Sequence, residues 1–315
     1  MITTDFVQPD QTSPAAGQHS DLPRGLRIVL STAGAITSQA LVVTAMLYYF
    51  GQVYTRTWFA HFGIDVGMLG YSIPEYVVRS MNGTFWPAVL ALLATVALAG
   101  LRPIPILVAV RSRQPRRTLR RWFVFVVTLG ASLLAAVAAG ILLRAQLPAV
   151  MSRYLPLMLI TGAALLGYAI ALRMWFPVQL GPRRHRRSGR STDSPWLTVL
   201  ALLTLGFIGT LWAVGGYAAD QAKKDATTAE ATHFTDRPLV LLFSVDRLAI
   251  EGGASRVDPI TVPDEKFRYV YSGLTLLART PDRYFLIPYD WKAKRDRVFI
   301  IDMSDNIRID IARHP

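Results

Sequence analysis

Residues 28–50 read IVLSTAGAITSQALVVTAMLYYF. These 23 residues carry no charge. As a helix rising about 1.5 Å per residue, they are long enough to cross a hydrocarbon core of about 30 Å. The run exceeds the apolar region of a cleaved signal peptide, about 7–15 residues. It closes on Tyr48, Tyr49 and Phe50, rings suited to a membrane–water interface. The stretch therefore predicts an uncleaved first span. Four more apolar runs follow at about 84–101, 122–143, 154–172 and 196–219. The predicted fold class is an α-helical membrane bundle of five transmembrane helices (26–219), followed by a small all-β extracytoplasmic domain (237–315). Residues 1–25, rich in Pro, Ser, Gln and Asp, read as a disordered cytoplasmic tail. Residues 220–236, DQAKKDATTAEATHFTD, read as a polar linker.

The chain is 52% hydrophobic, more than a soluble protein of its length usually is, yet its net charge is +13. Residues 220–315 hold 15 acidic and 15 basic residues, while 1–219 hold 6 acidic residues against 19 arginines. The excess lies beside the spans, where basic residues set topology. Nucleic acid is set aside as a partner, and anionic headgroups are expected at Arg113, Arg116, Arg117, Arg184, Arg186 and Arg187. The loop between spans two and three also carries Arg102, Arg111, Arg120 and Arg121, and the loop between four and five adds Arg173, Arg183 and Arg190. The alternate loops carry only Arg56 and Arg79, or Arg144 and Arg153. Five spans with both Arg-rich loops inside put the N-terminus in the cytoplasm and the C-terminus outside, in a plasma membrane. Cysteine is absent, which excludes disulfides, thiolate metal sites and S-palmitoylation. The Ala-, Arg- and Val-rich composition points to a bacterium with a GC-rich genome.

The loop 51–83 is rich in aromatic residues, with Tyr54, Trp58, Phe59 and Phe62 suited to a bilayer surface. Ser72-Ile73-Pro74-Glu75 predicts a capping box opening a short interfacial helix to about Met81; a re-entrant lid or pore element is the sharper alternative. Tyr48-Tyr49-Phe50, Phe62-Gly63-Ile64-Asp65, Leu69-Gly70-Tyr71-Ser72 and Tyr76-Val77-Val78-Arg79-Ser80 together resemble an uncharacterised group of multi-pass membrane proteins from actinobacteria. The resemblance covers the first span, this loop and, more loosely, the C-terminal domain. It implies host and topology and carries no activity.

The C-terminal segment reads as short antiparallel strands. Leu239–Val245, Phe267–Tyr271, Leu274–Ala278, Tyr284–Ile287, Arg297–Ile301 and Ile307–Ile311 are of strand length. Thr280-Pro281-Asp282-Arg283 predicts the turn of a hairpin, and Ser304-Asp305-Asn306 another turn. A small barrel or curled sheet, SH3-like by analogy, is the expectation. Tyr269, Tyr271 and Tyr284 are assigned to its core. Tyr289 and Trp291 follow Pro288 and are assigned to its surface.

Catalytic signatures are missing: no P-loop, Gly-x-Gly-x-x-Gly, Gly-x-Ser-x-Gly or His-Glu-x-x-His occurs. His19, His61, His185, His233 and His314 are scattered outside the spans, so no metal or other cofactor is expected. Asp302–Asn306 starts like a calcium loop, but Ile307 stands where that loop requires Gly. No span has an ionisable residue near its centre, which weighs against an ion-coupled carrier. Gln39 is the candidate polar residue of a span. These features predict a non-enzymatic scaffold or accessory subunit whose extracytoplasmic β-domain and outer loop bind a partner protein or envelope component. Asp65, Glu75, Tyr76, Arg79 and Trp291 are the candidate interaction surface. The alternative is a homo-oligomeric channel or passive pore lined by span one. A third reading, an enzyme acting on lipid-linked substrates, rests on His61, Asp65 and Glu75.

Overall fold

The computed structural model describes residues 24–80, 83, 89, 93, 100, 115–143, 149–175, 195–293 and 295–312; the side chains of 24–36, 38, 39, 115, 116, 149, 150, 175 and 195 are not among them. The chain divides into two compact units, Met1–Thr44 and Ala45–Pro315. Helix α1 (Arg24–His61) supplies the described part of the first unit. There Leu41, Val42 and Val43 are exposed apolar side chains, and the Thr44 hydroxyl is bonded back to the Ala40 carbonyl.

In the second unit, α2 (73–80) follows a 3-10 turn at Val66–Leu69. The long helices are α3 (Pro115–Leu142), α5 (Leu155–Trp175) and α6 (Pro195–Ala231), with α4 (Ala149–Ser152) a single turn. Pro115 and Pro195 each open a helix, where a missing amide costs nothing and the fixed φ is already helical.

Among the described residues, three helices are long and apolar enough to cross a membrane: Arg117–Leu142, Leu155–Met174 and Trp196–Ala231. They correspond to the third, fourth and fifth expected spans. The expected count of five thus becomes three among the described residues. Apart from residues 89, 93 and 100, span two (84–101) lies outside them, and span one falls in α1, much of whose side-chain pattern does too. The tail 1–23 and the calls on Arg113, Arg184, Arg186, Arg187 and the Arg116 and Gln39 side chains also lie outside.

The three helices pack with α5 in the middle. Gly130 and Gly162 bring α3 and α5 together, since a Cβ on either would sit 3.2 Å from the other's carbonyl. Gly209 does the same for α6 against Leu159 and Ile160. Arg153, just before α5, meets Asp220 of α6 at 2.5 Å, as antiparallel neighbours require. Gly209 and, beside Tyr49, Gly215 therefore serve close packing; the helix runs unbroken past them to Ala231. The segment read as a linker is helical through Ala231. Its reason is in the sequence: Ala218, Ala222 and Ala226 recur every four residues and are wholly buried, so a small-residue stripe continues the helix into polar surroundings.

The β-domain is one antiparallel sheet of β1 (Leu239–Ser244), β2 (Arg256–Pro259), β3 (Tyr269–Arg279), β4 (Arg283–Pro288), β5 (Phe299–Asp302) and β6 (Ile307–Ala312). Its order is β5-β4-β3-β1-β6, with β2 paired to β3. The two strands expected at 267–278 are one, bent where Gly273 takes φ 72°. β2 was not expected; its sequence, RVDP, has no alternation to betray it. The hairpin at 280–283 and the turn before Ile307 form as expected, the latter closed by the Ile307 amide on the Ser304 carbonyl at 3.1 Å.

β5 and β6 are joined by four residues, 303–306, yet lie at opposite edges. In a flat sheet they would stand about 19 Å apart. Five extended residue steps reach only about 18 Å, and these steps contain a turn. The sheet must curl. Its inside holds Val240, Leu242, Tyr271, Leu274, Leu286 and Ile301.

Gly273→Ala should destabilise the β-domain, because φ is positive there and a Cβ would overlap the Ala254 carbonyl. A loss of about 2–4 kcal/mol is expected in thermal unfolding of the full chain in detergent.

Candidate functional site

The chain gathers its aromatic side chains where α1 and α6 end. Both helices stop in the same way. At α1, the Ile64 amide reaches back to the Phe59 carbonyl at 3.1 Å with Gly63 at φ 73°. At α6, the Phe234 amide reaches the Ala229 carbonyl at 2.9 Å with His233 at φ 51°. These are Schellman stops, which satisfy terminal carbonyls and turn the next apolar side chain back onto the last turn. Gly accepts this conformation freely, whereas His233 bears a cost of about 1–2 kcal/mol.

Each stop delivers a side chain to one core. Trp58, Phe59, Phe62, Ile64 and Leu69 enter it from α1 and the following loop, Ala222, Ala226 and Phe234 from α6 and its stop, and Leu277, Phe285, Ile287 and Trp291 from the β-domain. The Trp291 ring lies 4.8 Å from Phe62, 5.9 Å from His61 and 6.4 Å from Phe234, and Trp58 lies 4.6 Å from Phe62. These separations suit tilted and edge-on aromatic pairs. Phe285 and Ile287 of β4 face this core while Leu286 between them faces the inside of the sheet. The sheet is therefore buried on both faces at β4, which is why β4 reads as an unbroken apolar run.

Polar pairs pin the rim. The Tyr54 hydroxyl donates to Asp225 at 2.7 Å, and Gln221 donates to the other oxygen of that carboxylate at 2.9 Å. His61 donates from Nε2 to Glu230 at 2.9 Å, and Glu230 also accepts the Ala293 amide at 3.3 Å. One carboxylate thus ties the end of α1 to the β4–β5 connection. The Arg237 guanidinium lies 5.1 Å over Trp58 and Arg79 lies 4.2 Å over Tyr71. Burial, followed by repulsion from Arg79, pulls the Arg237 pKa down. Burial pushes the Tyr54 phenol well above its ordinary value, and its bond to Asp225 adds to this.

The candidate residues divide. Glu75, Tyr76 and Arg79 gather around Tyr71. Glu75 accepts the Ser72 amide at 2.6 Å and the Ser72 hydroxyl at 2.9 Å, so the Glu75 half of the capping box forms, while the Glu75 amide bonds the Ser72 carbonyl at 3.1 Å; the bonds from Ser72 hold the Glu75 carboxyl below the ordinary range. The Tyr76 ring meets Tyr71 and Tyr48 edge-on at 6.0 Å and 5.7 Å. Asp65 caps the 3-10 turn, accepting the Gly67 amide at 2.8 Å. His61, Asp65 and Glu75 do not converge: each bonds a different partner.

Trp291 corrects the expectation. It is 3% exposed, because its amide closes a turn onto the Pro288 carbonyl at 3.0 Å and the ring swings into the shared core. Phe50 is also buried, at 1%, and Tyr49 fills the space beside Gly215, so two of the rings read as an interfacial belt are packing residues. Tyr271 is in the core as expected, with its hydroxyl 3.0 Å from the Leu248 carbonyl. Among the described residues no group of three His, Asp or Glu is placed to hold a metal ion. Sequence reasoning missed Phe234, Ala222 and Ala226, although the four-residue alanine spacing was a usable signal.

Comparison with protein-family models, curated proteins and solved structures returns no match.

Trp291→Ala should cost about 3–5 kcal/mol in thermal unfolding, the range for a truncated core aromatic residue. Tyr54 gives a pH signature. Its folded pKa is raised, so its contribution is full below the unfolded value of about 10 and falls as pH rises through the folded value. Stability of the native chain should decline more steeply above about pH 10 than that of Tyr54→Phe, read by fluorescence-detected unfolding.

Proposed function

We propose that this is a five-span, non-enzymatic plasma-membrane protein, cytoplasmic at its N-terminus, whose extracytoplasmic module docks a partner protein or envelope component. It acts as a scaffold or accessory subunit. The module is the β-domain together with the 51–83 loop. The observation that carries the reading is the single aromatic core shared by α1, α6, the loop and the sheet. A domain built so deeply into its helices presents a fixed surface, which suits docking.

Three further features support the reading. Arg117, Arg120 and Arg121 open α3, and Arg173 closes its antiparallel neighbour α5. The β-domain follows the opposite ends of these helices, where Arg153 meets Asp220, in keeping with Arg-rich ends inside. The strand order β5-β4-β3-β1-β6 on a curled sheet favours an SH3-like shape. Asp65 and Glu75, the carboxylates an enzyme would use, are engaged in local caps. Met68, Ile73 and Val78 remain as exposed apolar side chains on the loop, at 52%, 62% and 66%, and favour a segment lying on the bilayer surface.

Purification of the full chain from native membranes in mild detergent tests this. A defined heteromeric complex is expected, and Trp291→Ala should release the partner while leaving the chain in the membrane. A homogeneous homo-oligomer without partner would overturn the reading in favour of a channel built from several copies.

A further inference from the structure

An open surface cavity of about 390 Å³ lies along one face at the start of α3, lined by Arg117, Arg120, Arg121, Val124 and Phe125. It belongs to neither the aromatic core nor the β-domain. The spacings from 117 to 121, 120 to 124 and 121 to 125 are all four residues, so these side chains share one helix face. The arginines form one end. Val124 and Phe125 form the other, about 6 Å further along the helix. All five are exposed, while Leu119 and Val126 are buried. Trp122 stands beside the cavity with its ring 6.0 Å from Phe125. None of the described ion pairs uses these three arginines.

We infer that this cavity is a binding site for one anionic phospholipid. Its phosphate takes the forked donors of Arg117, Arg120 and Arg121, and an acyl chain lies along Val124 and Phe125. Guanidinium groups bind phosphate oxygens in pairs, which suits a fixed headgroup better than a diffuse counter-ion cloud. Topology alone requires charge near a helix end; it does not require a cavity, nor apolar side chains continuing the charged face. A free phosphate would leave Val124 and Phe125 unused. A second copy of this chain offers little complement at this end of the helices, since residues 1–219 contain 6 acidic residues against 19 arginines and the 15 acidic residues of 220–315 follow the opposite end of the apolar run of α6. The inference needs α3 to cross a membrane and is independent of the partner assigned to the β-domain.

The test uses the full chain, delipidated in mild detergent and titrated with phosphatidylglycerol or phosphatidylcholine, with retained lipid counted by native mass spectrometry. One phosphatidylglycerol per chain is expected, with phosphatidylcholine displaced. Replacing Arg117, Arg120 and Arg121 with Gln should weaken retention about a hundredfold, at about a factor of five for each charge. Arg120→Gln alone should weaken it about fivefold with unchanged helical circular dichroism, so the result stands even if the triple variant fails to fold. Arg173→Gln, outside the cavity, should leave retention unchanged. Equal loss in Arg173→Gln and Arg120→Gln would overturn the site in favour of diffuse attraction. Competition by glycerol 3-phosphate at the same concentration as the lipid would overturn it in favour of a soluble anion. Unchanged retention in Arg120→Gln would also sink it.

Discussion

The contact between Phe62, at the end of α1, and Trp291, in the connection after β4, is the one on which the rest of the second unit depends. Aromatic side chains that run past an apolar span must be covered by something. Here two helix ends and one face of a sheet cover each other. Fully burying each large ring is worth about 1.5–3 kcal/mol relative to exposure. The gain is cooperative, because each ring is buried only when all three elements are present. The sheet gains from this too. It is short-stranded, and its inner core is small. A second apolar face resting on the helices gives it support that cysteine cross-links provide in many exported domains, and this chain has no cysteine.

Around that contact the polar groups set direction more than strength. Partly exposed pairs such as His61 with Glu230 contribute little in water-rich surroundings. Their value is geometric. Asp225 and Glu230 sit five residues apart on α6 and bind residues seven apart on α1, which fixes the register of one helix on the other. Arg79 and Arg237 each rest on an aromatic face, so their mutual repulsion is offset by ring electrons and by the Leu277 carbonyl that Arg237 reaches at 3.4 Å.

Much of this was legible in the chain. Uncharged runs of membrane length gave α3, α5 and the first half of α6, because hydrophobic length is a signal that needs no partner. The Glu75 half of the capping box at Ser72 and the turn at Thr280 are likewise local chemistry, and both form. What failed was everything decided by a distant partner. Trp291 follows a turn and so reads as surface, but Phe62, more than two hundred residues earlier, buries it. Residues 220–231 read as linker because their charges outnumber their apolar groups; a stripe of alanines, too small to register as hydrophobic, makes them helix. Gly63 marks a helix end openly, whereas His233 does the same task in a conformation that sequence does not announce.

The unbroken course of α6 has a consequence for height. From Ala219, where its apolar run ends, to Ala231 the helix climbs about 18 Å. A headgroup layer is about 5–7 Å thick on each side. Where α6 crosses a membrane, Ala222 sets the lower edge of the aromatic core about 4.5 Å above Ala219, within the headgroup layer, while the helix end at Ala231 stands in water beyond it, and no bend lets it settle. The polar stretch becomes a ruler. Each residue added to or removed from it would move the β-domain by about 1.5 Å and turn it by about 100°. The length of those twelve residues sets both how far from the bilayer the β-domain works and which way it faces.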